Sequence, residues 1–253
     1  MPIIATAFGF SLIYVTSLPM PDEGQSVGGE LLSWLLTLAA IVLTYYIVFN
    51  VEPKVFSEAA EFPPERPNFK IIAGILLSAP LFFLFQEYIV YGLASLSNNL
   101  QMGPLTYSAG ELREDLFSSI HAVLLAPMLE ELCFRQMAVS PFRRQGLQIV
   151  VCIVMALLFG MLHIRNFAGA SFGALAFGLV FVFSRNIWYS VALHAGSNLM
   201  ATLLAIYCWL DLGEIKMSHL PVIMIPDIKV LVASIIFAAF GVYLCLSKSE
   251  KVV

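Results

Sequence analysis

Polar residues in this chain do not recur at the period of a strand or of a surface helix; they interrupt long apolar runs. A helix needs roughly 20 apolar residues to cross about 30 Å of hydrocarbon, where only helices and closed barrels satisfy their own backbone groups. Dividing the chain at its charges and its Gly/Pro punctuation leaves stretches near 3–18, 31–50, 70–95, 115–138, 147–163, 168–184, 187–208 and 228–247. The first is short and weak, and Arg185 and Asn186 alone separate the sixth from the seventh, so a count of seven stands beside eight. The expected fold is an all-α, polytopic membrane helix bundle of about eight transmembrane helices.

Composition strengthens this picture. The 253 residues are 60% hydrophobic and 12% charged, with a mean hydropathy of +0.88, far from the globular average. A net charge of −4 without a basic cluster excludes nucleic acid as a partner and leaves the lipid bilayer as the surroundings. Cys133, Cys152, Cys208 and Cys245 lie far apart and read as packing residues. No Lys or Arg precedes the first apolar run, which argues against a removable signal peptide. With eight spans and an inner N-terminus, the inner segments hold Lys54, Arg66, Lys70, Arg143, Arg144, Arg185, Lys248 and Lys251, the outer ones Arg113, Arg165, Lys216 and Lys229. That bias puts both termini in the cytoplasm and the protein in the cytoplasmic membrane. The polar links 51–69 and 96–114 are too short for a second core, so residues 1–253 are expected to form one integral-membrane domain. Gly169 and Gly173 make a G-x-x-x-G suited to close helix packing, and EFPPERP at 61–67 reads as a stiff linker.

Charge within a span is costly, about 2.5–3.5 kcal/mol at the bilayer centre on insertion scales, so ionisable residues there are functional candidates. Glu130, Glu131 and Arg135 occupy the fourth stretch, His163 ends the fifth and His194 lies in the seventh; Glu87 and His121 are weaker candidates. Glu131 and Arg135 stand one helical turn apart on the same face. The guanidinium neutralises one carboxylate, which leaves Glu130 to take and give protons. Phe159 with His163 makes F-x-x-x-H, and His194 with Asn198 makes H-x-x-x-N. A carboxylate, two imidazoles and an amide donor suffice to activate water and stabilise an oxyanion.

Glu-Glu-x-x-x-Arg, then Phe-x-x-x-His, then His-x-x-x-Asn, in this order on successive spans, resembles the CAAX protease and bacteriocin-processing (abortive-infection) family of intramembrane proteases, which includes the type II CAAX prenyl endopeptidases. The resemblance covers about 115–200, the expected catalytic core. It implies hydrolysis of a peptide bond of a membrane-associated protein or peptide, at its C-terminal region in some members, without a cofactor. Glu130 would be the general base, assisted by His163; His194 and Asn198 would hold the oxyanion, while Glu131, Arg135 and Phe159 support them.

Three alternatives accompany this reading. Glu130, His163 and His194 also form a two-His, one-Glu set such as zinc proteases use, although no H-E-x-x-H is present and Asn198 suits an oxyanion better than zinc. A nucleophilic Ser197 or Cys133 is weaker, because neither pairs clearly with a base. A non-catalytic membrane partner or bacteriocin-immunity protein would tolerate a degraded site, and here every motif is intact. One tension concerns depth: a helix ending near 138 leaves Glu130 about 12 Å from its inner end, against about 24 Å for His163. Extending the fourth helix through Arg143 and Arg144 to a cap at Gly146, with a kink at Pro141, would reconcile the two.

Overall fold

The computed structural model describes residues 27–46, 67–97, 119–163, 166–212 and 228–246. Every regular element among them is helical: α1 (Val27–Tyr46), α2 (Phe69–Ser97), α3 (Ala126–Glu131) running into a π-helical segment (Leu132–Met137), α4 (Gln145–Leu162), α5 (Phe167–Ser184), α6 (Ile187–Leu212) and α7 (Ile228–Leu246). These lie on the second to eighth apolar stretches; the first, near 3–18, falls outside the described residues. Three of the helices carry stretches long and apolar enough to cross a membrane, at Phe69–Tyr88, Gln145–Leu162 and Phe167–Ser184. The protein is thus a helical membrane protein.

The chain forms two compact units, Met1–Arg66 with Ala109–Val191, and Pro67–Ser108 with Ala192–Val253. In the first unit α4 packs along α5. Its buried positions Cys152, Ala156, Phe159 and Gly160 follow a helical stripe, while Val150, Val154, Leu157 and Met161 are exposed. Apart from Phe159 the inner face is made of small residues and the outer one of large aliphatics, as a helix surrounded by lipid requires. Gly160 is needed at this seam, because a methyl there would strike the Ser171 hydroxyl and the Phe167 carbonyl. Gly169 and Gly173 are buried on α5 as expected. Gly169 also makes room for the Asn166 side chain. A core of Leu129, Leu132, Cys133, Phe134 and Met137 gathers with Ala40 and Ile41 of α1, Ala156 and Phe159 of α4 and Ala174 of α5.

In the second unit α2 packs against α7. Gly74 and Gly241 meet so closely that a Cβ on either would collide with the carbonyl oxygen of the other. Ser78 Oγ donates to Gly74 O at 2.8 Å beside this seam. Pro80 lies within α2, where its missing N–H is tolerated in a membrane helix.

Two local features decide open points of the sequence reading. The sixth and seventh stretches are separate helices. Arg185 ends α5 in the left-handed region at φ 53°, and Asn186 opens α6 by accepting from Trp188 N–H at 3.0 Å. The fourth helix does not continue to Gly146. Regular helix stops at Met137, residues 138–141 form turns, and α4 begins at Gln145 after an extended Arg144. Pro141 lacks an N–H and disfavours helix in the residue before it. Ser140 turns its hydroxyl onto Gln136 O, closing the helix there instead of kinking it.

Candidate active site

The carboxylate pair sits where α3 changes to π-helix. Pro127 in the first turn of α3 suits a helix start. The wider π turn shows in Ser140 N–H, which donates to Arg135 O at 3.1 Å, five residues back. Glu131 and Arg135 are 0% and 1% exposed, and Arg135 Nε lies 3.1 Å from Glu131 Oε2. This contact is an ion pair by distance and lacks the geometry of a hydrogen bond. Arg135 Nη2 donates to Ala174 O of α5 at 2.7 Å. Ser190 Oγ, from the first turn of α6, lies 2.5 Å from Glu131 Oε2 and 2.8 Å from Phe177 O. Two buried charges thus hold each other and also reach α5 and α6, the arrangement that offsets the cost of burial. Glu130, the next residue, is half-buried.

His163 is the residue that ends α4, and its ring folds back over the last turn. It stacks on Phe159 at 4.4 Å between centroids, and Phe159 meets Phe134 edge-on at 5.2 Å. An aromatic series therefore runs from the π segment to the histidine. Nδ1 of His163 lies 2.9 Å from Phe159 O. A carbonyl only accepts, so in the neutral ring Nδ1 carries the proton and Nε2 holds the lone pair. Phe159, expected as a supporting residue, thus contacts His163 with both its ring and its carbonyl.

His194 and Asn198 lie one turn apart on α6, in the part belonging to the second unit. His194 is buried and Asn198 half-buried. Ser197 Oγ donates to Leu193 O at 2.8 Å, a bond back into its own helix that occupies the hydroxyl a nucleophile would need. Cys133 is fully buried in the first unit's core. Of the weaker candidates, His121 Nε2 lies 2.8 Å from Thr37 Oγ1 of α1, and Glu87 is half-buried on α2.

Within the first unit the fold joins Glu131 to Arg135, and Phe159 to His163, as their spacing suggested. Sequence reasoning missed Ser190. Its signal was a polar residue in an apolar helix four positions before His194, the same one-turn spacing used to read the other motifs. The carbonyls of Ala174 and Phe177 left no sequence signal, because every residue has one. Within either unit, no group of three or more described His, Cys, Asp or Glu residues gathers so as to hold a metal ion.

The fold defines a helical membrane protein with a buried Glu-Arg pair beside a second carboxylate. Residues 112–200 match the family model described as type II CAAX prenyl endopeptidase Rce1-like. All three motifs lie inside that stretch, and the resemblance they carry is to this family. The family implies an intramembrane CAAX-type protease, acting on a protein or peptide in a membrane setting. No curated protein and no solved structure matches the chain.

Proposed function

We propose that the chain is an intramembrane endopeptidase in which Glu130 activates water. The observation that carries the assignment is the different surroundings of two adjacent carboxylates: Glu131 is fully buried on Arg135 and Ser190, while Glu130 is half-buried. A fully buried carboxylate is closed to an incoming water, so the base is the half-buried one. In this reading Glu130 takes a proton from water as the oxygen adds to the scissile carbonyl carbon. His194 and Asn198 donate to the resulting oxyanion. The peptide C–N bond then breaks as Glu130 returns the proton to the leaving amine. His163 assists through Nε2, the acceptor position left by its Nδ1 contact with Phe159 O. No cofactor takes part. The five polar residues Glu130, Glu131, His163, His194 and Asn198 share one catalytic core within about 115–200, in a single domain with both termini cytoplasmic. The substrate is a membrane-associated chain cut in its C-terminal region.

The test uses purified full-length protein in detergent and a quenched fluorogenic peptide ending in a farnesylated Cys-aliphatic-aliphatic-X sequence. Glu130→Gln should reduce cleavage by at least about 100-fold, the lower end of what general acid–base catalysis supplies, with yield and melting temperature unchanged. Loss of activity in Glu131→Gln with retention in Glu130→Gln would exchange the two roles.

A further inference from the structure

Hydroxyls on membrane helices have a default partner, the carbonyl one turn back on their own helix. Ser78 bonds Gly74 O, Ser184 bonds Val180 O, Ser197 bonds Leu193 O and Thr202 bonds Asn198 O. Ser190 differs. Its Oγ lies between Phe177 O, thirteen residues away on α5, and Glu131 Oε2, fifty-nine residues away at the α3–π junction. It is completely buried. Both neighbours accept hydrogen bonds, and a serine has one hydrogen to give. With Arg135 beside it Glu131 is a carboxylate, and the hydroxyl donates to the charged, nearer oxygen while Phe177 O marks the other side of the slot.

We infer that Ser190 is a positioning residue, whose hydroxyl, set against Phe177 of α5, fixes the Glu131 carboxylate and through it the turn that carries Glu130. Glu131 and Glu130 are consecutive residues on one helix, so anchoring the Glu131 side chain restrains the position and rotation of the turn from which the Glu130 carboxylate projects. Arg135 and Ser190 approach the same oxygen, Oε2. The pair therefore fixes both the charge balance and the orientation of the group, which an ion pair alone leaves less defined. Ser190 touches neither water nor substrate in this scheme. Its effect on the reaction rests on the protease reading above, whereas its coupling to Glu131 does not.

Two measurements on the full-length protein test the inference. In melting experiments, Ser190→Ala, Glu131→Gln and the double variant form a cycle. Coupled residues make the double variant's loss of melting temperature clearly different from the sum of the single losses; additive losses overturn the inference. With the farnesylated fluorogenic peptide, Ser190→Ala should lower kcat about tenfold with KM nearly unchanged, as expected for a lost charge-assisted hydrogen bond expressed in the transition state. Ser190→Thr, which keeps the hydroxyl, should recover most of kcat. An unchanged kcat in Ser190→Ala, or no recovery in Ser190→Thr, makes the residue merely structural. Ser190→Cys, close in volume with a weaker donor, replaces the alanine variant in both measurements if that variant is not recovered folded. A wild-type protein that leaves the peptide uncut refutes the protease reading, and the melting cycle still decides the Ser190–Glu131 coupling.

Discussion

Around Glu131 the helices are joined by a buried ion pair, a serine and two backbone carbonyls, whereas α2 and α7 meet at two glycines whose backbones nearly touch. Lipid tails are as apolar as leucine, so the hydrophobic effect does not drive helices together inside the bilayer, and association depends on close packing or on hydrogen bonds. The second unit uses packing at Gly74 and Gly241. The first also packs closely, at Gly160, but spends ionisable groups where packing alone would serve. Such expense is characteristic of a site, since a buried pair stabilises no more than well-packed apolar residues of the same volume. The two units thus hold their helices together by different means, polar contacts around Glu131 in one and backbone packing at Gly74 and Gly241 in the other.

The largest effect is expected from breaking the ion pair. Arg135→Ala leaves Glu131 buried without its guanidinium and should cost about 3–5 kcal/mol, seen as a collapse in folded yield or a large fall in melting temperature. Adding Glu131→Gln to the same chain should recover much of that loss. No recovery would mean that Arg135 acts mainly through Ala174 O.

At the Gly74–Gly241 seam, Gly241→Leu should destabilise by about 1–3 kcal/mol or more through overpacking, without a charge being touched. Catalytic constants measured on the fraction that stays folded should change less than in Ser190→Ala. A greater change would show that the adhesive seam also tunes the site.

A finer probe lies on α6. A Cβ at Gly196 would run into the Cβ of Ala79 on α2, so Gly196→Ala should lower the melting temperature modestly, by an overpacking cost of about 1 kcal/mol. Ala79→Gly in the same chain moves the methyl from one helix to the other and should restore it. Failure of the swap to restore stability would argue against direct packing at that point.

The smallest effect is expected from chelation. Activity should survive exhaustive phenanthroline treatment, because in the glutamate scheme water is activated by Glu130. Loss of activity that returns on adding Zn²⁺, with near-stoichiometric metal in the purified protein, would establish the zinc arrangement of Glu130, His163 and His194 instead.

Much of this is legible in the sequence alone. Apolar run length located the described helices other than α3 to within about four residues, because spanning hydrocarbon demands both a length and an absence of charge. One-turn spacing identified the Glu131–Arg135 pair, since residues four apart on a helix share a face. Where the reading failed, local signals competed: basic residues before Gly146 suggested a helix end there, and Pro141 with the Ser140 hydroxyl ended the helix earlier. The division between α5 and α6 turned on Arg185 adopting a left-handed conformation usually left to glycine, which residue type does not announce.

What the sequence determined by itself was therefore whatever depends on neighbours along one helix: the spans, the polar motifs and the pairing of Glu131 with Arg135. Tertiary structure alone decided that Ser190 and the carbonyls of Ala174 and Phe177 complete the surroundings of that pair. Those contacts join positions far apart in the chain, and two of the three groups are backbone. A carbonyl is identical at every residue, so its use as a partner is set by how helices cross, which no single-helix pattern encodes.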